Sequence, residues 1–338
     1  MNVAIIGASG YSGAELLHFL LQHPHITIHK VFANTAVGKR VDEVYPQFRK
    51  KNDLVYEQYS LEKVQPCELI FIALPSGEAM HLVPDLLNAK KRVIDLGGDF
   101  RLRDAEIYTQ YYKHPHTASS FLSQSVYGLS EWNKEEIRNA QLIANPGCYP
   151  TSILLPLLPL LKENVIQENT IVINSLSGTS GAGRSSTVEL SFSEMHDNVR
   201  AYKVGNHQHI PEIQSIIHHF TQKKISVNFI PHLIPLTRGI YTSISCNVKS
   251  KISQEEIFTI YKKYYSNSPF IRLLQNTIPE IKNVVHTNYC DISWTIQSNN
   301  NHLNLFSTID NMIKGAAGQA IQNMNIMFGY KETEGVHL

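Results

Sequence analysis

Cysteine is scarce in this chain of 338 residues. The four cysteines that occur are far apart and form no CxxC pair: Cys67, Cys148, Cys246 and Cys290. Such spacing indicates neither a disulfide framework nor a compact zinc site. We therefore expect free thiols in a reducing cytoplasm, and no resident metal.

Net charge and long apolar runs are also nearly absent. Thirty Lys and Arg against 29 Asp and Glu give a formal charge of +1, which excludes a global field that would attract nucleic acid or an anionic membrane. The opening "MNVAIIGASG" lacks the basic start of a signal peptide, and no apolar run reaches membrane-spanning length. We expect a cytoplasmic chain whose partners are small molecules or further copies of itself.

The first part of the chain alternates short apolar runs with helical patterns. "VAIIG" (3–7) predicts a buried strand, "GAELLHFLLQ" (13–22) a helix, and "ITIHKVF" a second strand. The runs "ELIFIALPSG", "RVIDLGG" and "QLIAN" repeat the strand pattern, each closed by Gly, Asn, Ser or Pro. Alternating strands and helices predict a doubly wound parallel sheet, whose ligands bind beyond the carboxyl ends of its strands.

The second part has longer strands and fewer helices, from "TIVINSLSG" to "HLNLFSTID", which predicts an α+β domain with a mixed sheet. The small residues of 311–328 predict a closely packed helix that returns to the first domain. We expect one domain from 1–145 with 309–338, and a second from 146–308. The ending "KETEGVHL" has the composition of a frayed terminus.

A glycine loop, "GASGYSG", joins the first strand to the first helix. Small residues there let backbone N–H groups approach a pyrophosphate at the positive end of a helix. The spacing is GxxGxxG rather than GxGxxG, and the alternative is an ordinary tight turn between strand and helix. The residues that we expect at a dinucleotide are Gly7, Ser9, Gly10, Tyr11, Ser12 and Gly13.

The second strand bears on the choice of dinucleotide. Folds that select NAD usually end this strand with Asp or Glu, which holds the ribose hydroxyls. Here the strand runs into "VFANTAVGKR", which supplies Lys39 and Arg40. This favours a 2′-phosphate and therefore NADP(H); the alternative is that both are solvated surface charges.

Cys148 follows a Pro-Gly turn and begins an apolar segment, "NPGCYPTSILLPLLPLL". A helix that starts there would lower the pKa of the thiol and could also receive an oxyanion on its first N–H groups. This predicts a nucleophile, against the alternative of a buried inert cysteine, which suits the other three. Pro156 and Pro159 predict a bent or shortened helix.

Two histidines two residues apart, His207 and His209 in "GNHQHIPEI", are candidates for acid–base work. In an extended loop they would point to opposite sides, so that only one would face a given site. A zinc site using them with His196 or Cys148 lacks a third ligand at suitable spacing, and other histidines are expected at the surface.

Anion binding needs fixed cations, and three arginines lie in or beside Gly-containing segments. They are Arg101 in "DLGGDFRL", Arg184 in "SGTSGAGR" and Arg238 in "PLTRGIY". The alternative is that these three and Arg103 are rim charges of little energetic weight.

Seven motifs in order resemble the N-acetyl-γ-glutamyl-phosphate reductases of arginine biosynthesis: "GASGYSGAEL", "DLGGDFRL", "NPGCYPTS", "SGTSGAGR", "HQHIPEI", "PHLIPLTRG" and "NMIKGAAGQA". The resemblance implies a Rossmann domain plus a mixed-sheet domain of the glyceraldehyde-phosphate dehydrogenase type. It also implies NADPH-dependent reduction of N-acetyl-γ-glutamyl phosphate to the 5-semialdehyde and phosphate through a Cys thioester, in a homodimer or homotetramer.

The resemblance further implies roles for residues. Cys148 is the implied nucleophile, with His209, or as second choice His207, as the acid–base group. Substrate would meet these residues: Arg101 and Asn145 at the phosphate and acyl end, Arg238 and His232 at the α-carboxylate, and Glu212. The nicotinamide would meet Pro75, Ser76, Gly77, Asn311 and the loop from Ser177 to Gly183, with Gly178 and Gly181.

Two motifs depart from the family pattern. "HQHIPE" stands where the family usually has HRHxPE, which removes a cation beside the histidines, and "DLGGDFR" replaces DLSADFR, which removes a hydroxyl near the cofactor. Three alternative functions remain open from the sequence: the same chemistry on an aminoadipyl or aspartyl phosphate, a nucleotide-sensing Rossmann protein without catalysis, and a zinc hydrolase.

Overall fold

The short apolar runs of the N-terminal part form one parallel sheet in a computed structural model, which describes residues 1–184, 187–297 and 301–336. The strands are β1 (Asn2–Ile6), β2 (Thr27–Phe32), β3 (Tyr56–Glu57), β4 (Leu69–Ile72), β5 (Arg92–Asp95), β6 (Ser125–Tyr127) and β7 (Leu142–Ala144). Within the described residues their order is β3-β2-β1-β4-β5-β7-β6, and every pairing is parallel. Every residue of β4 is buried, as expected where helices cover both faces.

Helices connect these strands. They are α1 (Tyr11–Leu20), α2 (Val41–Val44), α3 (Val83–Asn88), α4 (Ala105–Tyr112) and α5 (Lys134–Asn139). Helix α1 begins at Tyr11, within the glycine segment, with Gly10 as its N-cap and no capping side chain. Helix α4 instead has a side-chain cap, because Asp104 accepts the N–H groups of Glu106 and Ile107.

The middle of the chain forms a second, mixed sheet. Its strands are β8 (Val172–Ser177), β9 (Arg200–Ala201), β10 (Asn228–Leu233), β11 (Ile240–Asn247), β12 (Ile271–Leu273), β13 (Cys290–Gln297) and β14 (His302–Ile309). In the described ranges the order is β12-β13-β14-β11-β8-β10-β9, with parallel pairs only at β8–β10 and β12–β13. The helices are α6 (Cys148–Lys162), α7 (Phe192–Met195), α8 (His209–Thr221) and α9 (Gln254–Tyr265).

Short 3-10 helices occupy connecting loops of both parts. They are Pro46–Phe48, Glu62–Val64, Ala79–His81, Ser119–Gln124, Glu168–Thr170, Thr179–Ala182, Val188–Leu190 and Ile281–Asn283.

Helix α6 runs through both of its prolines, so the expected shortening was wrong. A proline removes the N–H that would bond to the carbonyl four residues earlier, which frees Ser152 O and Leu155 O. The Ser307 hydroxyl donates to Ser152 O at 2.6 Å, and the Tyr265 hydroxyl donates to Leu155 O at 2.6 Å. Two hydroxyl groups from β14 and α9 therefore take the place of the missing helical bonds.

The C-terminal segment begins with a π-helix (Ile313–Ala317) and continues as α10 (Gly318–Phe328). The frayed ending that we expected was wrong for residues 331–336, while 337–338 lie outside the described residues. Asn325 on α10 donates to Glu332 O at 3.1 Å and to Glu334 O at 2.8 Å, and Val336 is buried. This segment is fixed by hydrogen bonds that the composition does not reveal.

Two compact units emerge from these elements. Among the described residues, the first is Met1–Pro146 together with residues 316–336, and the second is Gly147–Gly315. The segment rejoins the first unit at Ala316 rather than near 309. The reason is that Asp310 and Asn311 are bonded within the second unit, where Asp310 accepts His286 N and Asn311 accepts Gly239 N.

Helix length also bears on membranes. Helix α6 has 15 residues, fewer than the roughly 20 that a bilayer crossing requires. Among the residues that the structure describes, no helix combines the length and apolar character needed to span a membrane.

Candidate active site

Cys148 is the first residue of α6, in a turn that a buried carboxylate holds. Gly147 caps the helix in an extended conformation, and its N–H donates to Glu212 Oε1 at 2.8 Å. Cys148 is half-buried, whereas the other three thiols are buried, and burial raises the pKa of Cys67 to about 11 and that of Cys246 to about 12. Cys148 thus occupies the setting expected of a nucleophile.

Glu212 connects this turn to a histidine. It lies on α8, is fully buried, and its Oε2 is 4.0 Å from His209 Nε2, one helical turn earlier. The same carboxylate therefore faces both the cap of the cysteine helix and an imidazole. The substrate-binding role expected of Glu212 stays a prediction; in the structure its two oxygens are directed at Gly147 N and at the His209 ring.

We expected His207 and His209 to point to opposite sides of an extended loop. This was wrong, because the two rings lie close together. His209 begins α8, and its backbone N–H donates to His207 Nδ1 at 3.1 Å, which brings the two rings to 4.7 Å between centroids. Burial lowers the pKa of His207 to about 3, and the charge of Lys203 adds to this effect. His207 is therefore neutral at physiological pH, with Nδ1 engaged as an acceptor.

Two tyrosines that we did not single out line the same place. The Tyr202 hydroxyl donates to the Tyr149 hydroxyl at 3.2 Å, and Tyr149 donates to His232 O at 3.2 Å. Burial raises the pKa of both phenols, and the nearby Cys148 contributes to each rise. Tyr149 follows the cysteine directly in sequence, whereas Tyr202 belongs to no motif and could not have been found without the fold.

A lysine lies beside the histidines, where the motif suggested that a cation was missing. Lys203 Nζ donates to Gln208 Oε1 at 3.3 Å, and Gln208 separates His207 from His209. The expected loss of positive charge at this motif is therefore offset by a lysine from the preceding loop.

His232 is not brought to the cysteine. Side chains alternate along β10, and Phe229 packs against Tyr149 and His207. His232, three residues further on, therefore projects from the opposite face of the sheet, and its Nδ1 has no hydrogen-bond partner among the described residues.

Three loops of the second unit meet around Arg238. Asn311 accepts the N–H of Gly239 at 2.7 Å and donates to Ser180 Oγ at 2.9 Å, so both ends of its amide are bound to protein. A Cβ on Gly178 would lie 2.8 Å from Arg238 N, which shows how closely these loops approach. Three further residues were predicted here. The Ser177 hydroxyl donates to Gly178 O, a Cβ on Gly181 would lie 3.5 Å from Asn311 Nδ2, and Arg184 is exposed.

The glycine loop of the first unit divides its three glycines between packing and open space. A Cβ on Gly7 would lie 2.3 Å from Ala73 O, and one on Gly13 would lie 2.4 Å from Gly7 O. A Cβ on Gly10 would meet nothing nearer than Gly7 O at 3.5 Å, which leaves room over the uncapped start of α1. Around it Ser9 O accepts the Tyr45 hydroxyl, Tyr11 is exposed and Ser12 is half-buried.

A cleft of about 170 Å³ adjoins this loop at the carboxyl ends of β1, β2 and β4. Its polar lining comes from Asn34, Gln58, Tyr59, Glu78 and His81. Lys39 beyond β2 is exposed, whereas Arg40 is paired with Asp42 at 3.0 Å and Asp53 at 3.1 Å. An uncapped helix start beside a polar cleft fits a dinucleotide.

The loops after β4 and β5 are hydrogen-bonded to each other. Ser76 Oγ accepts Gly98 N at 3.2 Å, and Gly77 N donates to Asp99 Oδ1 at 2.7 Å, while Pro75 is exposed. A Cβ on Gly98 would lie 2.4 Å from the Tyr112 hydroxyl oxygen, so the alanine of the family pattern would require this tyrosine ring to shift. Ser76 therefore places a hydroxyl at the turn where the family motif usually has its own serine.

Arg101 and Asn145 form hydrogen bonds at the carboxyl ends of strands β5 and β7. Arg101 donates to Asn145 O and to Leu96 O, each at 2.8 Å. The Asn145 amide is buried, donates to Ala316 O at 3.0 Å and accepts from Asn323 at 3.1 Å. These bonds, both within the first unit, fix the orientation of the Asn145 amide, and its role in substrate binding stays a prediction.

No metal centre is evident in the described ranges. There, no group of three His, Cys, Asp or Glu side chains is arranged to hold an ion. His196, which we considered as a ligand, lies 3.1 Å from its neighbour Asp197.

Comparisons with known sequence families divide the chain in the same order. The family described as "Semialdehyde dehydrogenase, NAD binding domain" matches residues 2–140, and "Semialdehyde dehydrogenase, dimerisation domain" matches residues 148–311. The first unit is therefore an NAD(P)-binding domain, and the second contains a domain named for dimerisation, which indicates a homo-oligomer.

Solved structures share this fold at low sequence identity. Aspartate semialdehyde dehydrogenase II of Vibrio cholerae, complexed with ASA, has a TM-score of 0.75 at 17% identity, covering 97% of this chain and 98% of that one. The Candida albicans aspartate semialdehyde dehydrogenase with NADP has a TM-score of 0.71 at 15% identity, with 97% and 98% covered. These similarities confirm the expected fold class.

Curated relatives extend over the whole chain. An N-acetyl-gamma-glutamyl-phosphate reductase of Geobacillus sp. (strain WCH70) is 43% identical over 340 residues, covering 100% of this chain and 99% of the relative. Another, of Bacillus cereus (strain AH187), is 44% identical over 340 residues, with 99% and 98% covered. The resemblance inferred from the motifs is thus confirmed: the chain belongs to the N-acetyl-gamma-glutamyl-phosphate reductases, semialdehyde dehydrogenase-type enzymes of arginine biosynthesis.

Proposed function

We propose that Cys148 is the nucleophile of a phosphorylating reductase acting on N-acetyl-γ-glutamyl phosphate. The observation that carries this is the Glu212 carboxylate, which binds the cap of the cysteine helix and faces His209. The thiolate attacks the acyl carbon, N–H groups at the start of α6 hold the oxyanion, and the carbon–oxygen bond to phosphate breaks as the thioester forms.

His209 is the proposed acid–base residue, and Glu212 orients it. The imidazole takes the thiol proton and passes it to the departing phosphate. After the thiolate is released, the Cys148–His209 pair takes up one proton from solvent, and this is the proton that the overall reaction consumes. When the thioester carbon has been reduced, its oxyanion collapses to the aldehyde and releases the thiolate. His207 stays neutral because its burial disfavours the charged form, and we assign it to holding the start of α8.

The cofactor that we propose is NADP(H), held by the glycine loop with the open side of Gly10 toward the pyrophosphate. The chemistry that NADPH supplies when bound is a hydride for the thioester carbon. Two features favour the phosphorylated cofactor: β2 is followed by Ala33 and Asn34 rather than an acidic residue, and Lys39 is exposed nearby. A semialdehyde dehydrogenase of related fold contains NADP.

Substrate recognition is proposed for two arginines. Arg238 suits the α-carboxylate because a guanidinium can bind it through two parallel hydrogen bonds. Arg101 suits the phosphate, for which its charge at the carboxyl edge of the parallel sheet provides an attraction. We further propose that the enzyme works in the cytoplasm as a homodimer or homotetramer.

The reverse reaction tests this function without an unstable acyl phosphate. N-acetylglutamate semialdehyde, inorganic phosphate and either NADP or NAD are mixed with the enzyme, and reduced nicotinamide is followed by absorbance. We expect phosphate-dependent reduction of NADP. Activity only with a different semialdehyde would keep the mechanism and reject the substrate, and inactivity with every aldehyde would reject the enzyme.

Matched variants separate the residue roles. Cys148→Ser should abolish turnover, whereas Cys246→Ser, at a buried thiol, should leave kcat within about twofold of the parent. His209→Asn should lower kcat about 10² to 10⁴-fold, the usual contribution of a general acid or base. A larger loss in His207→Asn than in His209→Asn would reverse the assignment.

Cofactor preference has its own readout. A ligand that binds only the folded state raises the midpoint of thermal unfolding according to its concentration and affinity. We expect a larger rise with NADP than with NAD at equal concentration, and Lys39→Ala should reduce the difference. Lys50→Ala, at another exposed lysine, is the control. Equal shifts with both dinucleotides would remove the preference.

A further inference from the structure

The backbone of Gly315 lies directly against Cys148. A Cβ placed on Gly315 would be 2.7 Å from Cys148 Cβ and 3.1 Å from its Cα, distances at which one of the two must move. A Cβ there would also approach Ile309 Cδ1 at 3.3 Å. Only glycine at 315 therefore leaves Cys148 where the structure has it.

An unusual helical turn brings Gly315 to this place. Residues Ile313–Ala317 form a π-helix, in which Gly315 N donates to Asp310 O at 3.0 Å, five residues back. π-Helical turns are rare and are found frequently at functional sites. The wider turn is therefore a specific feature rather than a continuation of α10.

One buried carboxylate fixes the turn from inside. Asp310 is fully buried, and its Oδ1 accepts the N–H groups of Met312 at 2.8 Å and Ile313 at 3.2 Å. Its other oxygen, Oδ2, accepts His286 N at 2.8 Å and lies 3.6 Å from Arg238 Nη1. Asp310 thus contacts both the turn that carries Gly315 and the arginine that we assigned to substrate.

We propose that Gly315 and Asp310 are positioning residues of the reductase: Gly315 sets the place of the Cys148 thiol, and Asp310 holds the π-turn and the Arg238 guanidinium together. This inference rests on the proposed roles of Cys148 and Arg238. We further infer that a single segment, residues 310–315, sets the distance between the Cys148 thiol and the Arg238 guanidinium.

The contact itself is tested by unfolding, independently of catalysis. Gly315→Ala should lower the midpoint of thermal unfolding by about 4 to 10 °C, the effect of overpacking a core in a domain of this size. In a Cys148→Gly background, where no Cβ stands opposite, the same substitution should cost much less. Equal costs in both backgrounds would overturn the contact, and failure of Gly315→Ala to fold with rescue by Cys148→Gly would support it.

The thiol position is tested by alkylation and turnover. Iodoacetamide labelling of Cys148, followed on its peptide by mass spectrometry across pH, should be slower at neutral pH in Gly315→Ala, with its midpoint at higher pH. A misplacement of about 1 Å can cost roughly 10²-fold in rate, so kcat should fall by about that factor while KM for phosphate changes little. Ala316→Gly, in the same turn, should label and turn over as the parent does. Unchanged labelling and kcat in Gly315→Ala would overturn the proposal.

Asp310→Asn tests the second part of the proposal, the role of Asp310 in holding Arg238. The amide oxygen still accepts from Met312 and Ile313, but the NH2 group at the place of Oδ2 cannot accept His286 N, and the charge facing Arg238 is lost. We expect KM for the semialdehyde to rise about tenfold while Cys148 labelling stays within about twofold, the size of change expected from a lost charge-assisted contact. An equal fall in labelling and in kcat with unchanged KM would mean that Asp310 only stabilises the fold, and would overturn this part of the proposal.

Discussion

Asp95 carries a carboxyl group that the parallel sheet encloses completely. One oxygen accepts Gly97 N at 2.9 Å, and the other, Oδ2, has no hydrogen-bond partner among the described residues. Burial, with the charge of Asp99 as a second cause, raises the pKa of Asp95 to about 7, although Gly97 and Arg101 oppose the rise. The folded protein therefore binds a proton here that the unfolded chain releases near pH 4.

We expect Asp95→Asn to be more stable than the parent at pH 8 and to lose this advantage at pH 4. The folded state of the parent holds the proton between about pH 4 and 7, so its stability from this group falls as pH rises through that interval, by up to about 1.4 kcal/mol per pH unit. Denaturant unfolding of both proteins at several pH values measures the difference. A constant difference across the interval would contradict the protonated carboxyl.

His207 provides the opposite dependence. Its pKa is lowered to about 3, so the unfolded chain gains a proton before the folded one when pH falls below about 6.5. Stability from this group is therefore complete above that pH and is lost on acidification. His207→Asn, which keeps an acceptor for His209 N, should be less stable at pH 7 but lose less between pH 6.5 and 4; parallel curves would contradict this.

The local structure around a candidate site residue could be predicted where it depends on a short stretch of sequence. The Pro-Gly turn before Cys148 and the glycines at 7, 10 and 13 announce a helix start whatever the rest of the fold. The contact of Glu212 with Gly147 joins residues 65 apart, and Tyr202 reaches Tyr149 across 53. Such pairs depend on how elements pack, which no local pattern specifies.

At the scale of elements, helix α6 shows what local rules omit. Strands β1, β2, β4, β5 and β7 of the parallel sheet were predicted, because buried strands are continuous apolar runs bounded by turn residues, whereas the short strands β3 and β6 were not. The two prolines remove two hydrogen bonds of α6 without shortening it, because hydroxyl groups of Ser307 and Tyr265, far along the chain, bind the freed carbonyls. The same reason explains the ordered segment after α10.

Tyr265→Phe should therefore destabilise the protein by about 1 to 3 kcal/mol, the cost of leaving the buried Leu155 carbonyl without a partner. Tyr261→Phe is the matched control, since the hydroxyl of Tyr261 donates to Pro156 O, which a regular helix also pairs with the N–H of Leu160. The free energy of unfolding should fall less in the control. Equal losses of unfolding free energy in the two variants would reject the explanation that hydroxyl groups replace the hydrogen bonds removed by Pro156 and Pro159.

At the scale of the molecule, the division into two units follows from the change in strand length and pairing near residue 146. The residue at which the chain rejoins the first unit was harder to predict from the sequence, because it depends on the side-chain hydrogen bonds of Asp310 and Asn311. The close packing expected of α10 extends to its polar residues, which are buried and bonded, as Asn323 is to Gly128 O at 2.8 Å.

We expect the native enzyme to sediment at two or four times the mass of the chain. The second unit carries a domain named for dimerisation, and it exposes two large apolar side chains, Val188 and Phe192, by about four-fifths. Sedimentation equilibrium at several concentrations, with and without NADP, measures the mass. A single species of one chain mass at every concentration would contradict the expectation.

The discontinuity of the first unit has a consequence for biosynthesis. Helix α10 fills part of its core, yet the ribosome must translate Gly147–Gly315 before α10 exists. At about 5 to 20 residues per second the sheet waits roughly 10 to 30 s for this helix. Throughout that interval the place of α10 beside Gly128 and Ser130 is uncovered, so the nascent nucleotide-binding domain presents to chaperones a surface that the finished enzyme conceals.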